Sequence, residues 1–187
     1  NGFKSFAEKT NFLIEDGLTG IVGPNGCGKS NIVESLRWVM GETSAKSMRG
    51  SGMEDVIFSG TSNKASKNIA EVSIEVKNEN KEGPIQYREL EQIQIRRKIE
   101  KDKGSKFYIN DKEVRARDAQ MFFADLSTGA HSPSMISQGR IGALVTAKPT
   151  DRRSILEEAA GISGLHVRRH EAELRLASAE NNLKRAD

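Results

Sequence analysis

The 187 residues, 36% of them hydrophobic and 29% charged, suffice for one domain plus an appendage, with an aliphatic core because aromatics make up only 5%. A net charge of +3 permits contact with nucleic acid without arguing for it. No apolar run reaches membrane-spanning length, no signal peptide opens the chain, and the single cysteine excludes an internal disulfide, which fits a reducing cytoplasm. The first residue is Asn1 rather than Met, and the last lies inside a helical pattern, so both ends are expected to be cut.

Gly2–Phe6 and Thr10–Ile14 read as two short strands, and Asp16-Gly17 turns the chain into the apolar run Leu18–Val22, which reads as a buried strand. The next eight residues, Gly23-Pro24-Asn25-Gly26-Cys27-Gly28-Lys29-Ser30, fit G-x-x-x-x-G-K-[ST] at every fixed position. Glycines let backbone N–H groups turn inward on a phosphate, Lys29 supplies a compact cation for the β- and γ-phosphates, and Ser30 offers a hydroxyl to Mg²⁺. Ile32, Val33, Leu36, Val39 and Met40 then recur at helical spacing, and Gly41 stands where a helix stops. The positive end of that helix points at the anion. Strand, glycine loop and helix come in the order that a nucleoside triphosphate site demands. The alternative is a glycine-rich turn that happens to hold a Lys-Ser pair.

Gly41–Gly52 is polar and longer than a simple turn, which marks it as a candidate functional loop. Val56-Ile57-Phe58 is a short buried-strand candidate, and a polar loop follows through Asn68. In Ile69–Lys77, Val72, Ile74 and Val76 alternate with Ser73, Glu75 and Lys77 as in a half-exposed strand. Asn78–Pro84 is a turn, Ile93, Ile95, Arg97 and Ile99 continue the alternation, and Lys106–Ile109 follows the Gly104 turn. Together these predict an antiparallel meander, wet on one face. Arg117–Leu126 reads as a helix, and Met135-Ile136-Ser137 as a strand running into Gln138-Gly139. Pro149-Thr150-Asp151 starts a helix that continues through Ala160, capped near Gly161. Beyond it Leu165, Ala172, Leu176, Ala179, Leu183 and Ala186 fall on an a/d seam of about three heptads, against the alternative of a surface helix on a globular core.

An ATPase with this loop also needs a Walker B strand ending in Asp, usually followed by a catalytic Glu. Met121-Phe122-Phe123-Ala124-Asp125 imitates it, but Leu126 stands where the Glu belongs and the segment lies in a helical pattern. Leu126-Ser127-Thr128-Gly129 imitates a transporter-type signature in the wrong order, so both read as decoys. Asn63-Lys64-Ala65-Ser66 lacks the Asp that pairs with guanine. The chain carries a nucleotide cradle without complete hydrolytic machinery.

Taken together, the motifs resemble the N-terminal half of the ATPase head of bacterial SMC (structural maintenance of chromosomes) proteins. The resemblance rests on Gly2-Phe3-Lys4-Ser5-Phe6, the loop Gly23–Ser30 with Asn31, Leu36-Arg37-Trp38-Val39-Met40-Gly41-Glu42, Met48-Arg49-Gly50 and Met53–Gly60. It continues in Ile136-Ser137-Gln138-Gly139 and Asp151–Gly161, and so covers essentially the whole chain. It implies an α/β fold: the Walker A half of an ABC-type head over residues 1–161, a mixed sheet with the meander, and the start of a coiled-coil arm over 162–187. The C-terminal half of the same head would supply signature, Walker B and catalytic Glu. The implied protein is a dimeric, DNA-organising ATPase of chromosome condensation and segregation, cytoplasmic and nucleoid-associated, with no membrane partner. Its cofactors are ATP and Mg²⁺. Its partners are a second SMC protomer, double-stranded DNA and accessory kleisin-type subunits.

The resemblance also distributes roles. Gly23, Pro24, Asn25, Gly26, Cys27, Gly28, Lys29, Ser30 and Asn31 would hold ATP, with Ser30 and Gln138 serving Mg²⁺. Lys29, Gln138 and Arg49 would form this half's share of the catalytic apparatus, Arg49 acting when two heads close on ATP. Arg115 and Arg117 match basic residues on the DNA-facing top of the head, whereas Gly52 replaces a lysine that several relatives use there. Cys27 replaces the commoner Ser, at a position where backbone matters more than side chain. A DNA-repair relative with the same split head is the nearest alternative, and an autonomous small P-loop kinase or NTPase is the alternative of another class.

Overall fold

The computed structural model describes residues 1–15, 17–78, 84–126, 135–136, 142, 145–159, 169, 173 and 176–179. They fall into two compact units, Asn1–Gln120 and Met121–Asp187. In chain order the named elements are helix α1 (Lys29–Val39), strands β1 (Ile69–Lys77), β2 (Gln92–Glu100), β3 (Gly104–Ile109) and β4 (Lys112–Val114), and helices α2 (Ala116–Asp125) and α3 (Pro149–Ala159).

The four strands form one antiparallel sheet in the order β1-β2-β3-β4, the meander that alternation predicts. Register is unbroken, with Val72 opposite Arg97, Arg97 opposite Phe107 and Phe107 opposite Val114. Residues two apart share a face of a strand. Ile93, Ile95 and Ile99 of β2 are therefore buried together with Phe107 and Ile109 of β3 and Ala70 of β1. α1 packs across β1 and β2. The core of the first unit gathers Phe3, Trp38, Met48, Val56, Ile57, Ala70 and Ile99, with the rings of Phe3 and Trp38 at 5.4 Å.

One member of the inward β2 row is charged. Arg97 is only 3% exposed, and burial pushes its pKa down to about 10, so the guanidinium still carries its charge at neutral pH. Three hydrogen bonds and two aromatic faces replace the water it has lost.

Several expectations are corrected. Leu18–Val22 forms no strand: Leu18 is 97% and Val22 93% exposed. No described segment pairs with this run, and a strand without a ladder leaves its N–H and C=O groups to water. Thr10–Ile14 is likewise exposed and irregular. Gly2–Phe6 is a tight turn in which Phe3 and Phe6 exchange hydrogen bonds around Lys4, held at φ 45°. Val56-Ile57-Phe58 is buried as expected, but it follows a 3-10 turn over Met53–Val56 and makes a single bridge, Phe3 to Ile57. Gly41–Gly52 is less solvated than its composition suggests, for it buries Glu42 and Met48.

In the second unit, the Phe122 and Phe123 rings meet edge to face at 5.5 Å. The Walker B look-alike at Met121–Asp125 is the end of α2 and is helical, not a strand. Arg152 of α3 donates to the carbonyls of Ala147 (2.9 Å) and Val145 (2.7 Å). Met135 and Ile136 have no strand conformation; Ser137, Gln138 and the signature look-alike at 127–129 lie outside the described residues. Of the a/d seam, Leu176 and Ala179 are described, both helical and exposed.

Candidate functional site

The loop Gly23–Gly28 runs directly into the first turn of α1. Gly28 is the N-cap residue, at φ 91°, a conformation that side chains with a Cβ rarely adopt. A Cβ there would also stand 2.9 Å from Ser5 Oγ and 3.6 Å from Phe6 Cζ. Both backbone freedom and close approach therefore require glycine at 28. No side chain caps the helix, and its first turn contains no acidic residue. Orphan N–H groups and the positive end of the helix dipole consequently face the loop, the arrangement that binds phosphate.

Lys29 curls back across this loop. Its ammonium donates to the carbonyls of Gly23 (2.6 Å) and Pro24 (2.5 Å) and lies 3.8 Å from Cys27 Sγ. Carbonyls are modest partners for an ammonium in an exposed loop, and phosphate oxygens are stronger, charge-assisted ones. A triphosphate with its Mg²⁺ thus fits the residues present: glycine-shaped backbone, an uncapped helix start, one cation, and the Ser30 hydroxyl on the exposed first turn.

The structure brings Arg49 to the same helix. The 3-10 turn Lys46–Met48 ends on Arg49 in the left-handed region at φ 53°. From there Arg49 Nη2 donates to Asn31 Oδ1 at 2.9 Å, and Arg49 Nε pairs with Glu34 Oε1. Asn31 Nδ2 in turn donates to Ser5 Oγ at 2.8 Å. Lys4 Nζ binds the second Glu34 oxygen at 2.5 Å and also the Met48 carbonyl. Glu34, 7% exposed, is therefore a buried carboxylate shared by two cations, a pairing that offsets its desolvation. Beyond Arg49, Asp55 Oδ2 accepts from Ser51 N, Ser51 Oγ and Gly52 N at 2.6–2.9 Å. The Gly52 amide above all holds the Asp55 carboxyl below its usual pKa.

Lys4, Ser5 and Glu34 are absent from the sequence-based site. Spacing was the available signal: Ser30, Glu34 and Trp38 recur every fourth residue, and that stripe is the one α1 buries at Glu34 and Trp38. The apolar set Ile32, Val33 and Leu36 is only half-buried.

Arg115 and Arg117 stand elsewhere in the first unit, at the entry to α2. Both are exposed. The Arg115 carbonyl accepts from the Asp118 and Ala119 amides, and its own N–H donates to Asp118 Oδ2 at 3.1 Å. Their positions are thus fixed by a capped helix start. Gln138, the expected second Mg²⁺ residue, lies outside the described residues. Among the described residues, no cluster of three His, Cys, Asp or Glu side chains could hold a metal, and no helix is long and apolar enough to cross a membrane.

With this geometry in place, comparison with known proteins becomes specific. The RecF/RecN/SMC N terminal domain profile matches residues 1–140. The chain belongs to the RecF/RecN/SMC family. Among SMC relatives, the chromosome partition protein Smc of Cereibacter sphaeroides is 57% identical over the whole of this chain. The chain spans 16% of that relative's length. An SMC head with an extended coiled coil from Pyrococcus furiosus, solved with the C-terminal domain of ScpA, superposes with a TM-score of 0.76 at 32% identity. That match covers 98% of this chain and 46% of the other. A chain solved in work on ATP-driven dimerisation and DNA-stimulated activation of SMC ATPases has a TM-score of 0.72 at 31% identity, over 84% and 94% of the two chains. The α/β architecture here is that of SMC heads.

Proposed function

We propose that this chain is the ATP-binding half of the head of an SMC-type DNA-organising ATPase acting in chromosome condensation and segregation. The observation that carries the reading is the uncapped start of α1 behind a glycine-shaped loop, with the Lys29 ammonium lying across it. Lys29 and the free backbone N–H groups within Gly23 to Asn31 hold the phosphates of ATP. The Ser30 hydroxyl holds Mg²⁺, joined by Gln138 as the resemblance implies. Bound Mg²⁺ would screen phosphate charge. Arg49, parked on Glu34 and Asn31, is placed to support the state in which two heads share ATP. Residues 1–161 form the head half and 162–187 begin the coiled-coil arm.

Hydrolysis needs groups that the described residues do not supply. Attack by water requires an orienting base, and phosphate binding alone supplies none. The complementary C-terminal half of the head provides them in this reading, and covers the exposed apolar run Phe12–Val22. A second protomer, double-stranded DNA and a kleisin-type subunit complete the assembly. The known structures of SMC heads with ScpA, and the DNA-stimulated SMC ATPases, support those partners. The protein would work in the cytoplasm, on the nucleoid.

The test is reconstitution. The segment alone is expected to bind ATP and turn over almost none, and the C-terminal half of the head added in trans is expected to restore hydrolysis. Steady turnover by the segment alone would instead favour an autonomous P-loop enzyme.

A further inference from the structure

The buried guanidinium of Arg97 has no part in phosphate binding, yet its contacts converge on the helix that carries the phosphate loop. Nε donates to Ser105 Oγ of β3 at 3.0 Å. Nη1 donates at 2.7 Å to both the Trp38 and the Glu42 carbonyls, at the C-terminal end of α1. The planar group lies 4.5 Å from the Trp38 ring centre and 4.6 Å from that of Phe107. A lysine could not reproduce this: it is a point charge without the fork or the flat face.

The same helix end is held from a second direction. Gln120 of α2 donates Nε2 to the Gly41 carbonyl at 2.8 Å. Gly41 sits at φ +105°, and a Cβ there would stand 2.3 Å from Gln120 Cγ, so the two elements touch backbone to side chain. Both routes start from one place. Val114 pairs with Phe107 and Phe107 with Arg97, forming a row across the sheet. Arg115 follows Val114 directly, and the helix it opens carries Arg117 and Gln120.

We infer that Arg97 is a positioning residue that couples the turn bearing Arg115 and Arg117 to the phosphate loop through the C-terminal end of α1. The inference rests on the reading of those two arginines as DNA contacts. α1 is a single helix of eleven residues, roughly 16 Å long at 1.5 Å per residue. A shift imposed on residues 38–42 therefore moves Lys29 and Ser30 with it. DNA occupancy at the α2 entry reaches the nucleotide by displacing one rigid element, fixed at its far end by Arg97 and Gln120.

The experiment uses the full-length protein as wild type, Arg97→Lys and Gln120→Ala. It measures double-stranded DNA affinity, and ATP hydrolysis with and without DNA. Both variants are expected to bind DNA as wild type does. The ratio of DNA-stimulated to basal hydrolysis is expected to fall about fivefold or more in Arg97→Lys, and less in Gln120→Ala. Loss in Arg97→Lys alone assigns the coupling to the sheet row. A ratio preserved in both variants, even with both rates lowered in proportion, makes Arg97 a packing residue only and overturns the inference. Should Arg97→Lys not fold, Phe107→Leu, which removes one aromatic face from the guanidinium and keeps the row apolar, decides by the same ratio. Wild type that DNA fails to stimulate removes the underlying DNA reading, and the coupling with it. Stimulated wild type with unaffected variants removes the coupling alone.

Discussion

The meander and the segment before the phosphate loop belong to the same compact unit and are both rich in strand-forming residues, yet they end in opposite states. In β2 and β3 the inward side chains Ile93, Ile95, Ile99, Phe107 and Ile109 are almost wholly buried. Phe12, Leu13, Ile14, Leu18, Ile21 and Val22 are all exposed. Residue type does not separate the two. The presence of a pairing partner does. Short turns, Lys101–Lys103 between β2 and β3 and Asn110-Asp111 between β3 and β4, make loop closure cheap there, and β1 finds β2 across the longer connection 78–91. Residues 9–22 have no pairing segment among the described residues. A strand exists only as part of a ladder, and where the ladder is absent apolar residues do not make one alone.

This difference can be broken most forcefully at Arg97. Replacing it with Met leaves the Trp38 and Glu42 carbonyls without their buried donor. A loss of about 3 kcal/mol of stability is expected, since deleting one partner strands the others while the guanidinium's own desolvation cost is recovered. Leu18→Ser with Val22→Ser removes two apolar side chains that water already covers, and should shift the same segment's stability by no more than about 0.5 kcal/mol. Urea denaturation of the three proteins measures both. Equal losses would show that the run before the loop is packed, and the contrast would collapse. In the reconstituted head, by contrast, the double serine variant should impair recovery of hydrolysis, because there the run would be covered.

Much of this contrast was legible in the residues, and the illegible part has a common cause. The meander follows from period-two alternation, α1 from its spacing and stop glycine, and the phosphate loop from a motif whose residue types are fixed by chemistry. Leu18–Val22 has the composition of a buried strand, but burial is a property of the neighbour as much as of the segment. Arg97 was readable as inward by its register with Ile93, Ile95 and Ile99, yet charge argued for solvent. Only the carbonyls of Trp38 and Glu42, 59 and 55 residues away in sequence, explain why it stays inside. Glu34 was hidden similarly: one carboxylate on a helix reads as surface until Lys4 and Arg49 arrive from two other loops. Spacing can mark such a residue as inward, but it does not reveal the distant partners that keep it there.

The next test sits where the closed region opens to solvent. Arg115 and Arg117 follow β4 and are exposed, on a helix start that Asp118 fixes. In the full-length protein, Arg115→Glu with Arg117→Glu should weaken double-stranded DNA binding about tenfold, whatever the sequence. The slope of log affinity against log salt should become shallower by about two, one for each phosphate that an arginine no longer neutralises. Fluorescence anisotropy across a salt series reads both. An unchanged slope with the fold intact would make these residues a solvated face, and the meander would be closed on that side too.

The smallest effect probes the openness of the phosphate loop itself, through Cys27. The thiol is exposed, and its sulfur lies 3.8 Å from Lys29 Nζ. A Cβ built on Gly23 would approach that sulfur to 3.0 Å, so Cys27 Sγ folds against the opposite limb of the loop and narrows it. An alkyl group on the sulfur must therefore occupy the space between Gly23 and Lys29. A bound triphosphate claims the same space and draws Lys29 onto its oxygens, which shields the sulfur. Iodoacetamide is expected to modify Cys27 at least about threefold more slowly with saturating Mg²⁺-ATP than without, in proportion to the fraction of sites left free. The modified protein should bind ATP poorly because the adduct crowds the loop. Cys27→Ser should bind normally and resist the reagent, since in the proposed reading backbone amides would hold the phosphate and a hydroxyl is no larger than a thiol. Equal labelling rates with and without nucleotide would mean that the sulfur turns away from the phosphates.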